Sequence, residues 1–280
     1  MDLFTAPIET VIVDGCPIRF RQLGSREGEP VVLVHGGAAH HGWWSAVAPR
    51  LARRRHVIVP DLSGHGDSGH RGSYTGEAWA DDIIGVLDAT AAGPATLVGH
   101  SMGGLVAICT AARAPDRILS LVLVDTRIPL RRLPPPNRLP RWYASEEEAL
   151  GSFRLRPAGS VADPTLLRRV ARAGLRHDEQ GWRWKLDPKT RRLFTDDIVE
   201  AALLSLRCPV GYVYGEHSEL VDEEVVDHVA SKLRTAVPRV RVPRAFHHVP
   251  LDDPDACTAA IEELAAPRRL RHEGQRGTTA

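Results

Sequence analysis

At 280 residues, 43% of them apolar and 25% charged, the chain has the size and composition of one α/β domain carrying an insertion. A formal net charge of +1 gives no whole-chain attraction to nucleic acid or a membrane surface, and no apolar run approaches the roughly 18 residues that span a bilayer. Cys16, Cys109, Cys208 and Cys257 lie far apart with no C-x-x-C pair, which argues against a disulfide framework or a zinc site and for buried free thiols in a reducing compartment.

The first residues, Met1 to Pro7, include an early acid and no apolar h-region, so no secretory signal is expected and the location is read as cytoplasmic. Glu9 to Leu23 holds β-branched runs around Asp14-Gly15, a two-residue hairpin signal. Short apolar runs follow at Val31–Val34, His56–Val59, Ala95–Val98, Leu119–Val124, Val210–Tyr214 and Arg239–Val242, the pattern of strands buried on both faces of a parallel sheet. Thr75 to Thr90, Gly103 to Ala112 and Asp222 to Leu233 alternate with them at helical spacing. The expected fold class is therefore α/β, a doubly wound and mostly parallel sheet.

Residues 126–200 break that rhythm. They lack a strong strand signal, carry Pro134-Pro135-Pro136 and three of the six tryptophans, and show short helical patterns such as Pro164 to Ala173. An irregular stretch this long is read as a mostly helical cap inserted into a core of residues 1–125 and 201–266. The polar, basic tail, 267–280, is expected to hang free.

The sharpest chemical signal is Gly99-His100-Ser101-Met102-Gly103, a G-x-S-x-G between a strand-like and a helical run. A serine on so tight a turn needs small neighbours two residues either side, and Gly99 and Gly103 supply them. The helix N-terminus behind it offers N–H groups and a positive dipole to a developing oxyanion. Val31–Val34 runs into His35-Gly36-Gly37, where the amide of Gly37 would join that of Met102 as the oxyanion hole. His35 is read as a loop brace, and Asp61, His65 and Asp67 in the turn-rich stretch Asp61–Ser68 as structural.

A serine hydroxyl needs a base, and the base an acid to orient it. Phe246-His247-His248 follows the last strand-like run, and His247 is preferred to His248 as the base. Asp125, ending Leu119–Val124, is the preferred acid, with Glu219 after Val210–Tyr214 as the alternative. Trp43 and Trp142 are candidate pocket residues. The cap carries 16 Lys and Arg against 10 Asp and Glu, read mainly as solvated surface.

With these motifs in place, residues 8–266 resemble the α/β-hydrolase superfamily, in particular its capped serine-nucleophile branch of esterases, enol-lactonases and carbon–carbon bond hydrolases. The family usually carries Gly-x-x-Asp after the penultimate strand, whereas Gly215-Glu216-His217-Ser218 places serine there. A subset with that serine resembles this chain more closely, and some of its members take the acid from the end of the preceding strand, which matches Asp125. The resemblance implies hydrolysis of a carboxylic ester, lactone or related acyl bond of a small molecule, needing neither metal nor organic cofactor. It leaves a diketone-cleaving hydrolase and a non-enzymatic small-molecule receptor as alternatives.

Overall fold

The computed structural model describes residues 2–129, 141–190 and 194–265. The proline triplet at 134–136 and the tail at 267–280 lie outside them. Chain order gives β1 (Glu9–Val13), β2 (Cys16–Leu23), β3 (Pro30–Val34), α1 (Ala48–Leu51), β4 (His56–Pro60), α2 (Gly76–Ala89), β5 (Ala95–His100), α3 (Met102–Arg113) and β6 (Ile118–Val124). After them come α4 (Glu146–Gly151), α5 (Pro164–Ala173), β7 (Leu175–Asp178), β8 (Gly181–Trp184), α6 (Asp196–Leu204), β9 (Val210–Gly215), α7 (Glu223–Leu233), β10 (Arg239–Val242), α8 (Val249–Asp252) and α9 (Pro254–Ala265).

Eight strands form one sheet in the order β1-β2-β4-β3-β5-β6-β9-β10. The β1–β2 and β2–β4 pairings are antiparallel and the other pairings parallel. Asp14 and Gly15 turn the first hairpin with φ of 47° and 74°, the left-handed geometry that a tight turn between twisted strands demands. Period-2 alternation then sorts the strand side chains onto two faces. Val32 and Val34 pack with Trp79, Ile83 and Val106 from α2 and α3, while Val31 and Leu33 pack with Trp44, Leu51 and Ile261 on the opposite side. A sheet covered on both faces explains why its central strands read as unbroken apolar runs.

The chain between β6 and β9 departs from a mostly helical reading in two ways. β7 and β8 form an antiparallel hairpin, with Leu175 opposite Trp184 and His177 opposite Trp182. Each strand is four residues long and half-buried, too short and too polar to announce itself by hydrophobicity. α6, by contrast, buries Val199 and Leu203 in the cluster shared with α3 and α7, and Phe194 stacks on Trp79 at 6.0 Å. Phe194, Val199 and Leu203 thus belong to the core cluster, while Ala162 and Val170 pack in a separate one, with Ala39, Trp43 and Leu251. Among the described residues, no helix is long and apolar enough to cross a membrane.

Candidate active site

Ser101 sits between β5 and α3 with φ 54° and ψ −120°, a backbone state that non-glycine residues rarely adopt. Strain of this kind persists only where the surroundings impose it. Here the Ser101 N–H donates to the Val124 carbonyl at 2.9 Å, and the Thr126 hydroxyl donates to the Ser101 carbonyl at 3.1 Å. The flanking glycines leave no alternative. A Cβ on Gly99 would collide with the Gly103 carbonyl, and one on Gly103 with the carbonyls of Val34 and His35. Because those obstacles are backbone, Gly99→Ala is expected to destabilise the fold by about 1–3 kcal/mol, read as a lower urea midpoint at unchanged m-value.

Opposite the elbow, Gly37 lies against Met102, where an added Cβ would stand 3.4 Å from Met102 Sδ. Gly36 faces Ser101, its would-be Cβ 3.3 Å from Ser101 Cβ. The two residues named for the oxyanion hole are thus neighbours. His35 is buried, its Nε2 accepting from the Leu62 N–H at 3.1 Å while Nδ1 faces the Gly36 carbonyl at 2.8 Å. It ties the Gly36 loop to the Asp61 loop. Asp61 in turn accepts from the His41 N–H at 2.6 Å and the Asp67 N–H at 2.8 Å, with His41 Nδ1 at 2.9 Å from Oδ2. That placement matches a loop-shaping role.

His247 Nδ1 stands 2.7 Å from Asp125 Oδ1, and both side chains are buried. Asp125 has φ 46°, and its N–H donates to the Val213 carbonyl at 2.8 Å, which turns the side chain off the end of β6. Its Oδ2 accepts from the Gly215 N–H at 3.0 Å, and its Oδ1 also receives the Ser218 hydroxyl at 2.7 Å. Ser218 Oγ itself accepts from the amides of Leu220 and Val221 at 3.1 Å each, so its own proton is directed at Asp125. Burial pushes the Asp125 carboxyl up to about 7, and the Gly215 and Ser218 hydrogen bonds pull the other way. Glu219 is exposed on the loop after β9. The structure brings Asp125, not Glu219, to His247.

Ser218 supports this acid from the loop after β9, a link that the serine in the Gly215–Ser218 pattern hinted at without revealing. Ser218→Ala deletes one charge-assisted hydrogen bond, typically about 1.5–3 kcal/mol, so turnover is expected to fall roughly 10- to 100-fold with KM little changed. Steady-state kinetics on one ester would check it.

Two contributors escaped sequence reasoning. Thr126 clasps the elbow from the end of β6, and only its adjacency to Asp125 could have flagged it. His100 sits under the candidate base: its Nε2 bonds the His247 carbonyl at 2.9 Å and its ring lies 4.9 Å from that of His247. His248 points elsewhere, its Nε2 bonding the Pro157 carbonyl of the insertion at 2.9 Å. His100, His247 and His248 each offer one ring nitrogen to a group whose atoms lie within 4.8 Å of one another, and a ring nitrogen of His41 with one carboxylate oxygen each of Asp61 and Asp67 forms a second such group.

Trp43 is brought to the site, stacked on His100 at 6.2 Å and 5.3 Å from His248. Trp142 is not. It is 37% exposed on the insertion, and its indole N–H donates to Asp178 at the β7–β8 turn, 3.2 Å away. Its pairing with Trp43 as a pocket residue is corrected accordingly. All four cysteines are free, with Cys16, Cys109 and Cys257 buried and Cys208 partly so.

Comparison with known proteins places residues 29–254 in a family described as alpha/beta hydrolase fold. A 2-hydroxymuconate semialdehyde hydrolase of Pseudomonas sp. (strain CF600) is 40% identical over 114 residues, 39% of this chain and 40% of that protein. A pimeloyl-[acyl-carrier protein] methyl ester esterase of Chromobacterium violaceum is 43% identical over 100 residues, 36% of this chain and 38% of that one. The chain thus spans about two fifths of the length of each of these relatives. Among solved structures, a thioesterase domain from the curacin biosynthetic pathway superposes with a TM-score of 0.79 at 24% identity, covering 92% of this chain and 99% of that one. An E-2-(acetamidomethylene)succinate hydrolase gives 0.73 at 26% identity, covering 93% and 99%.

Proposed function

The chain belongs to the α/β-hydrolase family, and from that premise we propose that it is a serine hydrolase cleaving an ester, lactone or related acyl bond of a small molecule. The observation that carries the reading is Ser101 on its strained elbow together with a buried His247–Asp125 pair. His247 holds its Nδ1 proton toward Asp125, which leaves Nε2 as the nitrogen to take the Ser101 proton when the hydroxyl attacks a carbonyl. Asp125 stabilises the imidazolium so formed. The Met102 and Gly37 amides receive the tetrahedral oxyanion, each such donor typically worth roughly 3–4 kcal/mol. His247 then returns its proton to the leaving group and activates the water that releases the acid from Ser101.

A second reading has its own support. The hydrolase of Pseudomonas sp. that shares 40% identity over 114 residues is named for a semialdehyde substrate rather than an ester. The same three side chains would then serve cleavage of a carbon–carbon bond beside a carbonyl. A p-nitrophenyl ester series from acetate to octanoate separates the two. Turnover with a chain-length optimum supports acyl cleavage and sizes the pocket. No ester turnover by folded protein, with activity on a vinylogous diketone, supports the second reading instead.

A further inference from the structure

Three histidines converge at the site, and acyl chemistry uses one of them. His100 and His248 are 3% and 2% exposed. Each turns Nε2 to a backbone carbonyl, of His247 and Pro157 respectively, and a carbonyl oxygen only accepts. Nε2 is therefore the protonated nitrogen in both rings, and Nδ1 carries the lone pair. Both Nδ1 atoms are buried without a hydrogen-bond partner. Buried polar atoms are nearly always paired, so two orphaned lone pairs in one cluster point to something that accepts them.

We propose that His100, His247 and His248 form a transition-metal site of the three-imidazole kind, and that a divalent cation such as Zn²⁺ bound there reversibly shuts the hydrolase off. Each histidine offers one ring nitrogen to a group whose atoms lie within 4.8 Å of one another. Zinc–nitrogen bonds of about 2.0–2.1 Å set tetrahedral ligand nitrogens roughly 3.4 Å apart, so binding draws the rings together by small rotations. Imidazole suits Zn²⁺, Co²⁺ and Cu²⁺, whereas Mg²⁺ and Ca²⁺ want oxygen. Carbonyl partners on the far nitrogens of His100 and His248 orient those rings as outer-shell partners do in metal sites. In His247, Asp125 holds Nδ1, so the cation takes Nε2, the nitrogen that catalysis requires. The group of His41, Asp61 and Asp67 is a poorer candidate, because the Asp61 oxygens already receive His41 and Asp67. Inhibition rests on the proposed role of His247, while binding does not.

Titration of the whole chain with Co²⁺ is expected to produce the intense visible absorption of a four-coordinate, nitrogen-ligated ion, saturating at about one equivalent. His100→Asn and His248→Asn should each weaken that binding at least tenfold. Zn²⁺ should inhibit ester turnover, EDTA should restore it, and His248→Asn should need at least tenfold more Zn²⁺. If either variant fails to fold by circular dichroism, X-ray absorption of the Zn²⁺-loaded wild type should count three imidazoles. No visible band, a band indifferent to both substitutions, or fewer than three imidazoles would overturn the site. Should the chain hydrolyse no ester, the Co²⁺ titration still reads the site, so the two proposals fail separately.

Discussion

Ser101→Ala is expected to lower kcat on p-nitrophenyl esters by about 10⁶-fold while the melting temperature stays near that of the wild type. The magnitude follows from deleting the atom that bonds to the acyl carbon, after which the remaining groups can only polarise a substrate toward water. Stability is spared because the Ser101 backbone, not its hydroxyl, is what the Val124 carbonyl and the Thr126 side chain hold. Alanine at φ 54° is strained no more than serine is. Residual turnover within tenfold of wild type would remove Ser101 from the chemistry.

Asp125→Asn should cost about 10⁴-fold in kcat, while Glu219→Gln leaves turnover within about twofold. The carboxylate accepts from three donors at once: His247 Nδ1, the Ser218 hydroxyl and the Gly215 N–H. An amide has only one oxygen, so asparagine turns an NH₂ toward at least one of those donors. The imidazole then loses its preferred tautomer, and the nascent imidazolium loses its counter-charge. A profile in which Glu219→Gln is the damaging change would reassign the acid to the loop after β9. Paired kinetics of the two variants, with circular dichroism to verify folding, decide the point.

The sheet was legible because burial on both faces writes itself into sequence as uninterrupted valine and leucine, and residues such as Val31–Val34 and Leu121–Val124 have no other use. The elbow was equally plain, since only glycine fits where Gly99 and Gly103 meet backbone oxygens. The β7–β8 hairpin was not. It pairs His177 with Trp182 and Arg176 with Arg183, and neither pair displays the apolar alternation that marks a strand. α6 was assigned to the cap because it follows the long irregular stretch, yet Val199 and Leu203 face the core, a fact carried by tertiary contacts alone. In the site, residue type and position on the sheet edge led to Asp125 and Glu219, and separating them took a distance. Trp142 illustrates the opposite error: an aromatic near a site in sequence is bonded to Asp178 on the surface of the insertion.

The proposed acyl chemistry depends on Ser101 acting as a nucleophile. The direct measurement is intact-protein and peptide mass spectrometry after a fluorophosphonate, a reagent that phosphonylates activated serines. One adduct is expected, on the peptide containing Ser101, formed in wild type and at least 10³-fold more slowly in His247→Ala, on the scale by which loss of an activating base slows such a serine. An adduct on another residue, or ester turnover that continues in fully labelled protein, would contradict it.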